Sequence, residues 1–339
     1  MDIVKKALKR ETLEKREGYD KSLLGKIQSL PLEKYRIIKG LSVGGDAPKE
    51  LLLVYEYKKG AIRAGKPKNW PIYIAKTGQK WYPFESVTEY MLNRLGVMLG
   101  LKMAESKLYF INGQLRFLSK LFRDDKYQIL EHGAELYSGN LEDRDFVEEV
   151  ELKNKAREFF TVSFTKDVLQ NQYPMHAEDI FLDFVNMLVF DAIVGNNDRH
   201  FYNWAILKHI KSKHKPHFSP IYDTARAFFW NSPEQFFIDL YNDKNRLPIA
   251  LDKYIKNSKP KIGIEKNSNC NHIDMVRLLN SNKFNGTKDV VNSLINEENK
   301  FKCIELLENE FSDIFSKERF YVIRNCLILR FDILLKEIQ

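Results

Sequence analysis

Asp198 and Asn203 stand at D-x-x-x-x-N spacing in the run Gly195-Asn196-Asn197-Asp198-Arg199-His200-Phe201-Tyr202-Asn203. A carboxylate and a carboxamide so spaced suit phosphoryl transfer: the Asp takes up the proton of an attacking hydroxyl, and the Asn binds a magnesium ion. Alone, the pattern is short enough to recur by chance. A further acid adds weight. Ser219-Pro220-Ile221-Tyr222-Asp223 closes a short apolar run on a carboxylate. Residues 203–208 and 218–222 read as two strands of one hairpin centred on Lys213, which predicts that Asn203 and Asp223 lie side by side. Two oxygen ligands at one end of a hairpin suit a hard cation, and magnesium takes such ligands together with substrate phosphates.

Two segments upstream fit the same chemistry. Lys76 follows Ile72-Tyr73-Ile74-Ala75, a predicted strand, and Glu89 lies on the predicted helix after it. A strand lysine held by a helix glutamate, reaching the α- and β-phosphates of a nucleotide, is a recurring arrangement. The loop from Gly40 through Ser42, Val43, Gly44 and Gly45 to Lys49 has adjacent glycines, which let backbone N–H groups turn toward a phosphate while Lys49 neutralises charge. It is neither G-x-G-x-x-G nor G-x-x-x-x-G-K-[ST], and an ordinary hairpin turn reads the same way.

The elements that must position these residues fall into two groups. Residues 1–30, rich in Lys and Glu, read as a surface helix. Ile37-Ile38, Leu51–Tyr55 and Ile72–Ala75 are short apolar or alternating runs separated by Gly, Pro and Lys, the pattern of a small antiparallel sheet. Phe84–Leu101 has helical spacing, with Val87, Met91 and Leu95 on one face and Gly100 as a stop. Ser106–Ile111 and Leu115–Phe122 read as strands turning at Asn112-Gly113. After Arg123 the chain reads as helical, most clearly at Asp145–Phe160, Ala177–Ile193, Leu294–Phe315 and Phe320–Ile338, with Asn257–Asn271 as a Lys/Asn-rich loop. The expected fold is α+β and bilobal, protein-kinase-like: residues 1–122 a β-sheet lobe with one main helix, residues 123–339 a larger helical lobe containing a catalytic β-hairpin.

Bulk properties narrow the classes. A chain of 339 residues with 44% hydrophobic and 29% charged content has room for two lobes around packed cores. The net charge of +8 favours anionic partners, but Lys and Arg are spread along the whole chain, as on a solvated surface. No nucleic-acid recognition module is visible. Cys270, Cys303 and Cys326 form no C-x-x-C pair, which fits a reducing compartment and not a disulfide framework or zinc ribbon. No apolar signal segment follows Met1, and the most apolar stretch, Ile180–Gly195, is interrupted by Asp183 and Asp191 and is too short to span a membrane. A cytoplasmic protein is expected, with secretion lacking a classical signal left open. His209, His214 and His217 read as a solvated basic hairpin tip, and the Phe228-Phe229-Trp230 run as packing beneath Asp223.

Taken in order, these segments resemble the HipA-like serine/threonine kinase family, related to the phosphatidylinositol 3-/4-kinases and protein kinases. Ser-Val-Gly-Gly-Asp-Ala-Pro-Lys at 42–49 resembles its phosphate loop, and Tyr-Ile-Ala-Lys at 73–76 its nucleotide lysine strand. Glu89-Tyr90 with Leu-Gly-Leu at 99–101 resembles its helix. Asn-Asp-Arg-His-x-x-Asn at 197–203 and Pro-Ile-Tyr-Asp at 220–223 are its most specific marks. The match runs over about residues 40–230, and the short lead before the loop is similar to the stand-alone members. The resemblance implies ATP and Mg²⁺ as cofactors, Asp198 as catalytic base, and Asn203 and Asp223 as metal ligands. It also implies Lys76 on the phosphates, the backbone of Lys120–Phe122 at the adenine, and a Ser42 open to autophosphorylation. Implied partners are a protein Ser/Thr substrate and an antitoxin-like protein, as for a toxin or effector. Ser119-Lys120-Leu121-Phe122-Arg123 departs from the usual Arg-Phe-Asp-Arg type of the family, and neither H-R-D nor D-F-G is present. A phosphoinositide kinase and a nucleotide-binding pseudokinase regulator are the alternatives; the complete set of Lys76, Asp198, Asn203 and Asp223 speaks against the second.

Overall fold

The alternating runs of the first third have the two-residue period of strands with one covered face. In the computed structural model, which describes residues 23, 25–38, 49–57, 62–78, 84–124, 127–211 and 214–339, they form one antiparallel sheet. Its strands are β1 (Tyr35–Ile38), β2 (Lys49–Val54), β3 (Ile72–Thr77), β4 (Ser106–Ile111) and β5 (Gln114–Lys120), in the order β1-β2-β3-β5-β4. Asn112 and Gly113, between β4 and β5, have φ of 52° and 74°, as the tight turn of a two-residue hairpin requires. One face buries Leu52, Tyr73, Ala75 and Leu118 in a small separate cluster. Lys76 and its cross-strand partner Phe117 alternate with these residues and so lie on the other face. Helix α1 (Glu85–Met98) packs on β4 and β5, with Val87, Met91, Leu92 and Leu95 buried.

The remaining chain is mostly helical: α2 (Gly133–Leu141), α3 (Arg144–Leu152), α4 (Ala156–Phe159), α5 (Val162–Gln172), α6 (Ala177–Val194), α7 (Glu234–Asn242), α8 (Arg246–Asn257), α9 (His272–Asn280), α10 (Thr287–Leu294), α11 (Glu297–Phe311) and α12 (Lys317–Ile338). The expected helix over Asp145–Phe160 is two helices, broken where Asn154 takes φ 53°. The one expected over Leu294–Phe315 is divided at Asn296, whose side chain caps α11 by accepting from Asn299 N–H at 2.8 Å. The surface helix expected over residues 1–30 falls mostly outside the described residues.

A second sheet, β6 (Gln128–His132), β7 (Ala205–His209) and β8 (His217–Phe218), lies within this helical part in the order β6-β7-β8. Strand β6 corrects the expectation that the chain turns helical directly after Arg123. It pairs along its whole length with β7, whereas β7 and β8 pair only at Ile206↔Phe218 and Leu207↔His217. So short a hairpin gains its stability from a third strand. The register also corrects the expected pairing. Its centre falls one position before Lys213, and extended to residue 203 it would set Asn203 against Ile221, not Asp223. Both residues lie beyond the ends of their strands.

Helix α6 is apolar around most of its circumference and buried, the pattern of a central core helix. It ends at Gly195, in the left-handed region at φ 76°. Arg330 of α12 closes that end, its Nε 3.0 Å from the carbonyls of Ala192 and Ile193. A cation there complements the negative end of the helix dipole. Helix α1 is bolted to the helical part by Arg94, which holds Glu310 of α11 through bonds of 2.8 and 2.7 Å. Arg319 of α12 lies 4.4 Å from the Phe84 ring centre and 3.9 Å from that of Phe237 while binding Glu234 at 2.9 Å. No helix among the described residues is long and apolar enough to cross a membrane.

A Cβ on Gly195 would meet the Arg330 guanidinium at 2.8 Å, in a conformation that L side chains rarely adopt. Gly195→Ala is expected to lower unfolding free energy by about 1–3 kcal/mol in urea titrations. An unchanged midpoint would show that the helix end is not under this constraint.

Candidate active site

A carboxylate on a buried apolar helix requires a partner. Asp191, wholly buried on α6, accepts from Arg199 Nε at 2.9 Å, from Arg199 Nη2 at 3.1 Å and from Asn196 Nδ2 at 2.8 Å. Arg199 is also wholly buried. Its remaining nitrogen, Nη1, donates to the carbonyls of Asn203 at 2.8 Å and Tyr222 at 2.6 Å. This fork gathers the two chain segments that the short hairpin does not align. The loop is tied further by the N–H of Asp198, which donates to Asn196 Oδ1 at 3.2 Å, and by Asn203 Nδ2, which donates to the carbonyl of Asp198 at 2.8 Å. The Asp198 carboxylate faces Arg226, with Nε at 3.2 Å and Nη1 at 3.3 Å, and that guanidinium rests 5.3 Å from the Trp230 ring centre.

Asp223 has φ 55°, and this left-handed turn follows the last residues that lead from β8. Its carboxylate pairs with Lys76 Nζ, which also donates to Glu89 at 2.7 Å. In the β2–β3 register Lys49 stands directly opposite Lys76. Burial works to raise the Asp223 carboxyl, but Lys76, Lys49 and Arg199 together hold it well below the usual carboxylate range. Burial pushes Glu89 up to about 7, with Lys76 pulling the other way. Lys76 stays charged: its two carboxylates more than offset the effect of burial.

Lys76, Glu89 and Asp223 are therefore in direct contact, Lys49 is beside them, and Asn203 is tied through Arg199 to the residue before Asp223. Phe122 borders the same region, its ring 5.9 Å from that of Tyr222. Lys120 does not join the cluster. Its side chain binds Glu105 at 2.6 Å, its N–H donates to the Glu105 carbonyl, and the N–H of Leu121 donates to that of Ile72. Ser42, Val43, Gly44 and Gly45 lie outside the described residues. Further along the chain, Phe228 and Phe229 are buried, and Phe229 packs on Tyr254 at 3.9 Å between ring centres.

Reading the sequence missed Asp191, Arg199 and Arg226 as parts of the site. Asp191 did leave a signal, a lone acid deep in the most apolar stretch, with an arginine following in the loop.

The HipA-like C-terminal domain model matches residues 41–281. The chain belongs to the HipA-like kinase family. Among solved structures, the proinflammatory kinase CtkA of Helicobacter pylori is similar in fold, with a TM-score of 0.67 at 18% identity over 89% of this chain and 96% of that one. HipA of Shewanella oneidensis MR-1, solved with HipB and operator DNA, gives a TM-score of 0.47 at 14% identity over 93% of this chain and 70% of that one. No curated protein matches by sequence. The bilobal α+β kinase fold expected from the sequence is the fold observed.

Removing one partner of a buried ion pair strands the other charge. Asp191→Ala should lower stability by about 3–5 kcal/mol in denaturant titrations; a loss below about 1 kcal/mol, the worth of an exposed pair, would contradict the role given to the Arg199 fork. Glu89 yields a prediction in pH. Its folded value of about 7 lies above its ordinary 4.5, so it binds its proton more tightly folded than unfolded. It favours the folded state at acid pH, and that contribution fades as pH rises through about 7. Unfolding free energy should accordingly fall less between about pH 5 and 8 in Glu89→Gln than in the parent protein, and identical slopes would refute the shift.

Proposed function

We propose that the chain is an ATP-dependent protein kinase that transfers the γ-phosphoryl group to a serine or threonine hydroxyl. The observation that carries this reading is Lys76, bonded at once to Glu89 and Asp223. An ammonium fixed from two sides is oriented before a nucleotide arrives, and Glu89 keeps hold of it when Asp223 turns to another cation. Lys76 would then lie on the α- and β-phosphates with Lys49 beside it. The adenine would lie at the segment Lys120–Phe122, between lobes spanning residues 1–122 and 123–339.

Asn203 and Asp223 suit the magnesium that accompanies ATP. Asn203 spends its Nδ2 on the Asp198 carbonyl, so Oδ1 is the atom left for a cation, and Asp223 adds a carboxylate kept ionised by its neighbours. Among the described residues no three His, Cys, Asp or Glu side chains cluster as a metal cage. Magnesium usually takes one or two protein ligands and completes its shell with phosphate and water. Bound there, it would offset the phosphate charge.

Asp198 would orient the acceptor hydroxyl and take up its proton during transfer. Its backbone is fixed by Asn196 and Asn203 and its side chain is held by Arg226, so little reorganisation is needed when the acceptor arrives.

With labelled Mg-ATP and a bacterial lysate, the protein should label itself or a discrete lysate protein. Asp198→Ala should lower that transfer at least about a hundredfold, the scale of a lost acid–base group, while Mg-ATP affinity by calorimetry stays within about threefold. Equal loss of binding and transfer would make Asp198 a structural residue and remove it from the chemistry.

A further inference from the structure

The loop that carries Asp198 is pinned to a lysine-rich segment that the proposed chemistry leaves unused. Residues 253–266 contain Lys253, Lys256, Lys259, Lys261 and Lys266. Three contacts lock this region to the residues just before Asp198. Ser258 Oγ donates to Asn197 Oδ1 at 2.8 Å, the N–H of Lys259 reaches the same oxygen at 3.0 Å, and the His272 ring nitrogen Nε2 meets the Asn196 carbonyl at 2.9 Å. From the other direction the N–H of Asn197 binds the carbonyl of Arg226, whose guanidinium faces Asp198. Asp198 is thus paired with Arg226, and the residue before it is bonded to Ser258 and Lys259.

The acids of this region are already paired: Asp252 with Lys256 at 2.8 Å, Glu265 with Lys283 at 3.3 Å and Asp274 with Arg277 at 3.2 Å. No ion pair among the described residues engages Lys259 or Lys261. Lys259 reaches only the neutral side chain of Asn269, and Lys261 is exposed. Burial holds His200, two positions beyond Asp198, below its ordinary pKa against the opposing pull of Asp198 and Asp223, and Arg199 and, more weakly, Lys261 add to the lowering.

We propose that this cationic rim selects the acceptor, a serine or threonine set in a protein segment rich in aspartate and glutamate. The inference rests on the kinase reading above and adds the substrate class to it. The lysines alternate along the chain at 259 and 261, which suits a row of carboxylates on an extended peptide. An inositol phosphate head group would need several cations turned on one point.

The test uses three synthetic serine peptides that differ only in their flanks: aspartate-rich, the asparagine isostere and lysine-rich. Phosphatidylinositol vesicles are the fourth acceptor. The full chain should phosphorylate the aspartate-rich peptide at least about tenfold better in kcat/KM than its isostere, mostly through KM, and rising salt should shrink that ratio. In the Lys259→Glu/Lys261→Glu variant the preference should invert toward the lysine-rich peptide, and in Lys259→Gln/Lys261→Gln it should level off. Equal use of the aspartate and asparagine peptides, or a preference unchanged in both variants, overturns the rim and leaves the kinase reading standing. Label on vesicles in place of peptides overturns it in favour of a lipid acceptor. Absence of transfer to any acceptor, with Mg-ATP still bound, overturns the kinase reading and this inference together.

Discussion

The arrangement of the site depends on one buried arginine. Arg199 carries its charge into the interior, where Asp191 balances it, and spends its last donor on two carbonyls from separate segments. A well-packed apolar pair in the same space could be as stable, since the desolvation of two charges offsets much of their attraction. It could not hold two backbone oxygens at fixed positions. The guanidinium fork can, because its donors are rigidly spaced in one plane. Asp191 in turn keeps its place because α6 is packed on most sides and because Arg330 binds the last carbonyls of that helix. The position of Asn203 thus traces back through a loop, an ion pair and a helix end to the C-terminal helix.

Lys76 presents the complementary constraint. Two carboxylates share one ammonium, so the trio carries an excess negative charge that Lys49, across the strand pair, partly offsets. Like charges opposite each other in a sheet repel, and the lysine pair is tolerable here because acids face it. Glu89 belongs to α1, whose own placement comes from far along the chain through Arg94–Glu310 and through Arg319 between two phenylalanine rings. Bridging helices in this way makes the position of Glu89 a property of the whole core.

These long-range dependences explain what was legible in the sequence. The strands around Lys76 announced themselves by alternation, the turn at Asn112-Gly113 by its residue types, and the central helix by its apolar run. Lys76, Glu89 and Asp223 could be singled out because each sits at the end of, or within, a strongly patterned element. Strand β6 could not, because Gln128-Ile129-Leu130-Glu131-His132 is a strand by virtue of β7 beside it and carries little pattern of its own. The expected alignment of Asn203 with Asp223 through the hairpin register is not what the strands give; Arg199 instead holds the carbonyls of Asn203 and Tyr222 together. An ion pair between a helix and a loop has no sequence period and is visible only once the loop is folded back.

The same logic accounts for the backbone after β8. Asp223, Phe228 and Phe229 all have positive φ, at 55°, 49° and 58°. For residues with a Cβ each such conformation costs roughly 1–2 kcal/mol. Since the hairpin ends early, the chain must turn sharply to return a carboxylate toward Lys76, and the left-handed geometry at Asp223 supplies that turn. Phe228 and Phe229 then turn the chain again, and burial of both rings, with Phe229 against Tyr254, offsets the backbone cost, since fully burying one such side chain contributes about 1.5–3 kcal/mol. Strain at the carboxylate is thus balanced by apolar packing a few residues away. The carboxylates of the candidate site need not by themselves supply the stability of the loop.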